Sequence, residues 1–273
     1  MKSMTKGWFL YLLSATLIEV WTGHADLQLL AFPVGIALGV AALAVLFVLD
    51  REQGNHPWLR SLRSPRMAGW LLALLTLGCI IGGCLPAASR FQTSWPFIAL
   101  LAALFVHLTL LLLHRLRRFC WKRDGTFLLI HGGLWLALSG GMLGAGDTDE
   151  LRIRVGQEEP VTTGVNVQGR LKPLGHALQL KEFHIETHPT DGFPVQYTAA
   201  VWVDNTPVRL AVNSPYAVRP GEDLYLMSFD PAGATGEAAF CILLLVRQPW
   251  KYPLLAGILL LMAGVARMMW KQS

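Results

Sequence analysis

Three stretches of this chain, residues 27–49, 67–89 and 125–146, contain no Asp, Glu, Lys or Arg. Each is long enough for the helix of about 20 apolar residues that crosses roughly 30 Å of hydrocarbon. In lipid every backbone polar group has to be satisfied within the segment itself, so runs of this length fold as spanning helices. A fourth apolar run, residues 96–113, opens at Trp95-Pro96 and closes at His114-Arg115, and proline at a first helical position costs little. Residues 252–266, between Lys251 and Arg267, are shorter, but Trp250, Tyr252 and Trp270 supply an aromatic belt at both ends.

The first segment, Gly7 to about Thr22, reads in two ways. Lys2 and Lys6 before an apolar run and Gly-His-Ala at 23–25 fit a cleaved signal peptide. Glu19 and Trp21 fit a cleavage region poorly, so the segment is taken as a retained span, with Asp26 in a tight outer turn before the next one. That makes six spans.

Charge orients them. Arg51, Arg60, Arg63 and Arg66 lie in one loop and Arg115, Arg117, Arg118, Lys122 and Arg123 in another, whereas residues 86–95 carry only Arg90. The two Arg-rich loops are expected in the cytoplasm, with both termini. Residues 147–250 are net −5 and the remainder net +10, so the acidic stretch is placed outside, in an inner membrane. A pI near 9.2 would suit nucleic acid, but the basic residues sit in short runs between apolar segments, and no nucleic-acid partner is expected. Cys79, Cys84, Cys120 and Cys241 form no CxxC or CxxCH and read as small apolar fillers.

From Asp147 to Trp250 the period shortens to β-rich runs: 151–155, 177–185, 197–203, 208–212 and 238–246, broken by Gly and Pro. The last is too apolar for an edge and reads as a central strand. The expected fold is therefore a polytopic α-helical membrane protein of six spans with one extracytoplasmic all-β, sandwich-like domain between spans five and six. Its parts are residues 1–146 with five spans, 147–250 as the β-domain held near the outer surface, and 251–273 with the sixth span and a short tail.

Three stretches match a known pattern: Leu29-Leu-Ala-Phe-Pro-Val34; Phe127-Leu-Leu-Ile-His-Gly-Gly-Leu-Trp-Leu-Ala137; and Ala211-Val-Asn-Ser-Pro-Tyr216 through Gly221 and Leu224-Tyr225 to Leu245-Val-Arg-Gln-Pro-Trp-Lys-Tyr-Pro253. Together they resemble the ResB/CcsB-type subunit of system II cytochrome c assembly, in its Bacteroides-type form. Leu226 and Gln248 depart from that pattern, where Gln and Asp are common. The resemblance implies a subunit that pairs with a ResC/CcsA-type membrane protein, receives haem b through the bilayer, and presents it outside for attachment to apocytochrome c. It implies a share in a haem lyase complex, not an enzyme acting alone; no P-loop, dinucleotide fingerprint, HExxH or GxSxG is present.

Haem iron takes an axial imidazole whose second nitrogen needs a partner, so intramembrane histidines are the first candidates. His131 lies seven residues after Asp124 and His107 seven before His114, which puts both roughly 10 Å from the cytoplasmic ends of their spans. His131 leads, as a haem-iron ligand: Gly132 and Gly133 remove bulk beside it, so a macrocycle or a helix can approach. The other reading is an imidazole bonded to a neighbouring helix, with these glycines and Gly140, Gly141 and Gly144 marking helix packing. His107 lacks flanking glycines and is the runner-up; Trp135, one turn after His131, is positioned to stack on a porphyrin. His24, His176, His184 and His188 read as solvated or as guarding haem outside, and Asn213 as a turn former. Two further functions stand against haem handling. One is a membrane-anchored scaffold for the complex. The other is a transporter or channel, which the absence of paired intramembrane acids disfavours.

Overall fold

The computed structural model describes residues 2–86, 90–188, 194–230 and 238–270. The chain divides into two compact units, one of residues 1–146 with 252–273 and one of residues 147–251.

The first unit is helical: α1 (Lys2–Thr22), α2 (Val34–Gln53), the short α3 (Pro57–Leu62), α4 (Pro65–Cys84), α5 (Trp95–Leu116), α6 (Trp121–Asp147) and α7 (Lys251–Trp270). Among the described residues α2, α4, α5, α6 and α7 are long and apolar enough to cross a membrane; the apolar part of α1, Gly7–Thr22, is shorter. The second span starts later than expected. Leu27–Leu30 forms a 3-10 turn in which the Asp26 carboxylate accepts the Gln28 N–H, so the helix begins only at Val34. α4 starts at a cap, where the Ser64 hydroxyl accepts from Met67 N and Pro65 fills the first position. It ends at Cys84, and the expected continuation through 87–89 lies outside the described residues.

α5 is the most buried of the five. Leu100, Leu104 and Leu108 meet Leu75 of α4, joined by Leu12, Leu134 and Leu138, while Ala103 packs with Met67, Leu71 and Trp8. Two buried carboxylates anchor the Arg-rich connections. Asp50 takes Arg63 at 2.9 Å and Arg117 at 2.8 Å. Asp124 takes Arg115 at 2.7 Å and Arg123 at 3.0 Å. These arginines, read in the sequence only as topology signals, also neutralise acids that burial would otherwise penalise.

The second unit is antiparallel β: β1 (Asp149–Gly156), β2 (Val161–Asn166), β3 (Leu171–Thr187), β4 (Pro194–Val203), β5 (Thr206–Ala211), β6 (Tyr216–Arg219), β7 (Glu222–Phe229) and β8 (Phe240–Arg247). The sequence suggested a sandwich; the strands pair instead into one sheet, in the order β5-β4-β3-β2-β1-β8-β7-β6. It folds over a single core: inward Leu151, Ile153 and Val155 of β1 and Leu243 and Leu245 of β8 share one cluster with Val201, Leu210 and Leu224. The expected central strand lies between β1 and β7, as β8. Three strands were not foreseen. β2 carries Gly164 within the strand, where a side chain would strike Leu151 and Leu174 at 3.0 Å; β6 has four residues, and β7 opens on Glu222-Asp223.

Candidate functional site

α6 carries the leading candidate. The His131 Nδ1 lies 3.0 Å from the Phe127 carbonyl one turn earlier, and its ring stacks on Phe127 at 4.0 Å between centroids and 20° between planes. A ring nitrogen that meets a carbonyl carries the proton, so the geometry assigns the lone pair of the neutral imidazole to Nε2. Phe127 in turn receives the Arg115 guanidinium over its face at 5.4 Å. His131 is half-buried.

The flanking glycines differ. A side chain at Gly132 would meet nothing within 4 Å, so the helix surface at that residue is open. Gly133 is buried against α7, where an added Cβ would lie 2.6 Å from both the Gly257 carbonyl oxygen and Leu261 N. Gly140 packs likewise on Leu254, and Gly264 of α7 on Ile130 and Leu129. Gly133, one of the two glycines the sequence offered for ligand access, thus joins Gly140, offered for packing, in a close helix–helix seam, as small residues do in membranes.

His107 is 4% exposed, and its Nδ1 lies 2.5 Å from the carbonyl of Leu62, the last residue of α3. It ties α5 to the end of α3. Trp135 stacks on Phe105 at 5.4 Å and 25°, and its Nε1 donates to Thr109 Oγ1 at 2.8 Å. Its polar atom is therefore engaged by α5, and a flat ring remains in the α5–α6 contact. His131 leaves Nε2 outside its bond to the helix, and Gly132 is the next residue in sequence.

The remaining histidines scatter. His24 Nδ1 lies 2.6 Å from Glu19, whose other oxygen accepts Trp95 N at 2.8 Å, so a carboxylate 76 residues away caps the positive end of α5. His176 is buried between Asp204 at 2.5 Å and Glu222 at 3.5 Å. His184 and His188 are exposed, the former beside Lys181 and Arg209 in an open groove of about 390 Å³ on β3–β5. Among the described residues no group of three or more His, Cys, Asp or Glu is placed to hold a metal ion. Asn213 takes a left-handed φ of 63° in the turn after β5, a conformation that asparagine tolerates. Burial pushes the Cys241 thiol up to about 12.

A model of the ResB-like family matches residues 121–254, from the start of α6 through the β-unit into α7, and so includes His131 to Trp135. Among solved structures a similar one is "Cytochrome c Heme Lyase CcmF", 13% identical, with a TM-score of 0.40, over 76% of this chain and 35% of that one. The chain thus spans about a third of that protein's length. None of the curated proteins compared matches.

Proposed function

We propose, on the premise that residues 121–254 belong to the ResB-like family, that this chain is a membrane subunit of cytochrome c biogenesis. With a ResC/CcsA-type partner it conveys haem across the inner membrane and presents it for attachment to apocytochrome c. One observation carries the haem-handling part: inside the family-matched stretch, the Phe127 carbonyl at Nδ1 assigns the lone pair of the neutral His131 ring to Nε2, and a side chain at the next residue, Gly132, would meet nothing within 4 Å. Haem is the cargo. The chain's own contribution is an imidazole oriented by the Phe127 carbonyl, with Trp135 on the adjoining α5–α6 contact and His107 holding α5 to α3. Purification with and without the partner, followed by haem absorption spectra, tests this. His131→Ala is expected to lower haem occupancy at least tenfold, whereas His107→Ala lowers thermal stability first, because it cuts the tie to Leu62. Unchanged haem content in both variants would make the chain a scaffold for the complex.

The same reading has six crossings, with both termini in the cytoplasm and residues 147–251 outside. Its support at the first crossing is the engagement of α1: Tyr11 donates to the Ala99 carbonyl at 3.0 Å, Glu19 caps α5, and Trp95 Nε1 donates to Thr22 at 3.1 Å. The apolar part of the helix, Gly7–Thr22, is about 24 Å long, with Lys2 and Lys6 before it for the cytoplasmic interface.

A further inference from the structure

Val167 and Leu171 are the most exposed large apolar side chains of the β-unit among the described residues, each at 72%. They flank the β2–β3 turn, and Val165, which pairs with Leu171 across the strands, is 40% exposed. The exposure does not come from a loose loop. The Asn166 side chain accepts Gln168 N at 3.1 Å and Arg170 N at 2.8 Å, and its main chain bonds Gly169 N and the Arg170 carbonyl. A rigid turn thus holds apolar side chains outward, where water makes them costly.

The register says where this turn is. β1 begins two residues after the end of α6, and the pairs Leu151↔Asn166 and Arg152↔Val165 run β2 back toward that entry. The turn residues 167–170 are consequently level with 147–150. Lys172 confirms the closeness, with Nζ 2.8 Å from Asp149. The exit strand ends at the same place, since Asp149 pairs with Arg247 and α7 follows at Lys251. Two covalent attachments to membrane-length helices therefore flank this end of the sheet. At about 3.3 Å per residue, Asp149 is within roughly 7 Å of Asp147, the residue leaving α6, a distance comparable with the thickness of one polar interface of a bilayer.

The charges at this end are of both signs and partly paired: Lys172 with Asp149, Arg247 with Glu222 and Lys251 with Asp223. Arg170, between Val167 and Leu171 in the turn, is exposed. Exposed apolar side chains with an arginine between them suit the boundary between acyl chains and phosphates.

We propose that the β2–β3 turn is a bilayer anchor: Val167 and Leu171 insert at the acyl–headgroup boundary, and Arg170 lies at the level of the lipid phosphates. The proposal rests on α6 and α7 being bilayer spans. The test uses the full chain in nanodiscs of phosphatidylethanolamine and phosphatidylglycerol. Cys79, Cys84 and Cys120 are replaced by Ser, while buried Cys241 stays unlabelled. A nitrobenzoxadiazole probe is then placed at Val167→Cys, at Met227→Cys as a water-exposed reference and at Leu38→Cys as a reference on α2. Spin-labelled lipid should quench the probe at 167 at least twofold, with blue-shifted emission, and leave the probe at 227 unquenched. Quenching at 167 by aqueous iodide to the same extent as at 227 would overturn the anchor. So would shielding at 167 from both quenchers, because a protein would then cover the turn. Lipid quenching at 38 without quenching at 167 sinks the anchor alone; no lipid quenching at 38 sinks the spanning reading itself.

Discussion

His131 and His107 both spend Nδ1 on a main-chain carbonyl, one on its own helix and one on a neighbouring connection. The residue type is the same and the consequence differs: one ring is held within its own helix, against Phe127, whereas the other staples two elements. In the β-unit, hydrogen bonds from His176 and from the Ala177 N–H hold Asp204 below the usual carboxylate range. A carboxyl depressed in the folded state contributes stability above its unfolded value, near 4, and loses it as pH falls through the folded value. Urea unfolding followed by tryptophan fluorescence should therefore show the β-unit weakening progressively below about pH 4. Asp204→Ala is expected to be less stable at neutral pH and flatter in its acid response; an unchanged slope would mean that Asp204 carries none of it. The histidine pair was legible in the sequence because intramembrane imidazoles are rare. Their separate jobs were not, because a hydrogen bond to Leu62 depends on a loop 45 residues away.

Among the elements, α6 shows how neighbouring glycines part company. Gly133→Ala would drive a methyl group into the backbone of α7 at 2.6 Å, and overpacking of this kind costs about 1–3 kcal/mol. Gly132→Ala adds a methyl group in open space and should leave thermal stability level or slightly raised, since alanine favours helix by up to about 1 kcal/mol. The larger Gly132→Leu should keep the melting temperature while lowering haem occupancy; retained occupancy would exclude an approach along that flank. Strand prediction met a comparable divide. β1, β4 and β5 announce themselves as short β-rich runs, with Arg152 and Arg154 outward between buried Leu151, Ile153 and Val155, and β8 by its continuous apolar run. β3 runs from Leu171, well before the expected start at 177, through Pro173 and Gly175. Such residues normally mark strand ends, and here the irregular pairing with β2 absorbs them.

For the whole molecule, topology is the claim on which the rest depends. A reporter fused near residue 200 should be active only outside the cytoplasm, and one fused within 55–60 only inside; the reverse pattern would remove the proposed haem route. Placement of the helices needed no tertiary information, because partition into lipid is a local property summed over about 20 residues, and charge-free runs state it directly. The helical segments and the β-rich stretch after Asp147 were accordingly determined by the sequence itself. What only the tertiary structure decided is partnership. Asp50 finds Arg63 and Arg117, Glu19 reaches across to cap α5, Gly133 faces α7 while Gly132 faces open space, and eight strands close over one core as a single sheet. Composition records how apolar or charged a segment is, but the face a side chain presents acquires meaning only when another element is packed against it.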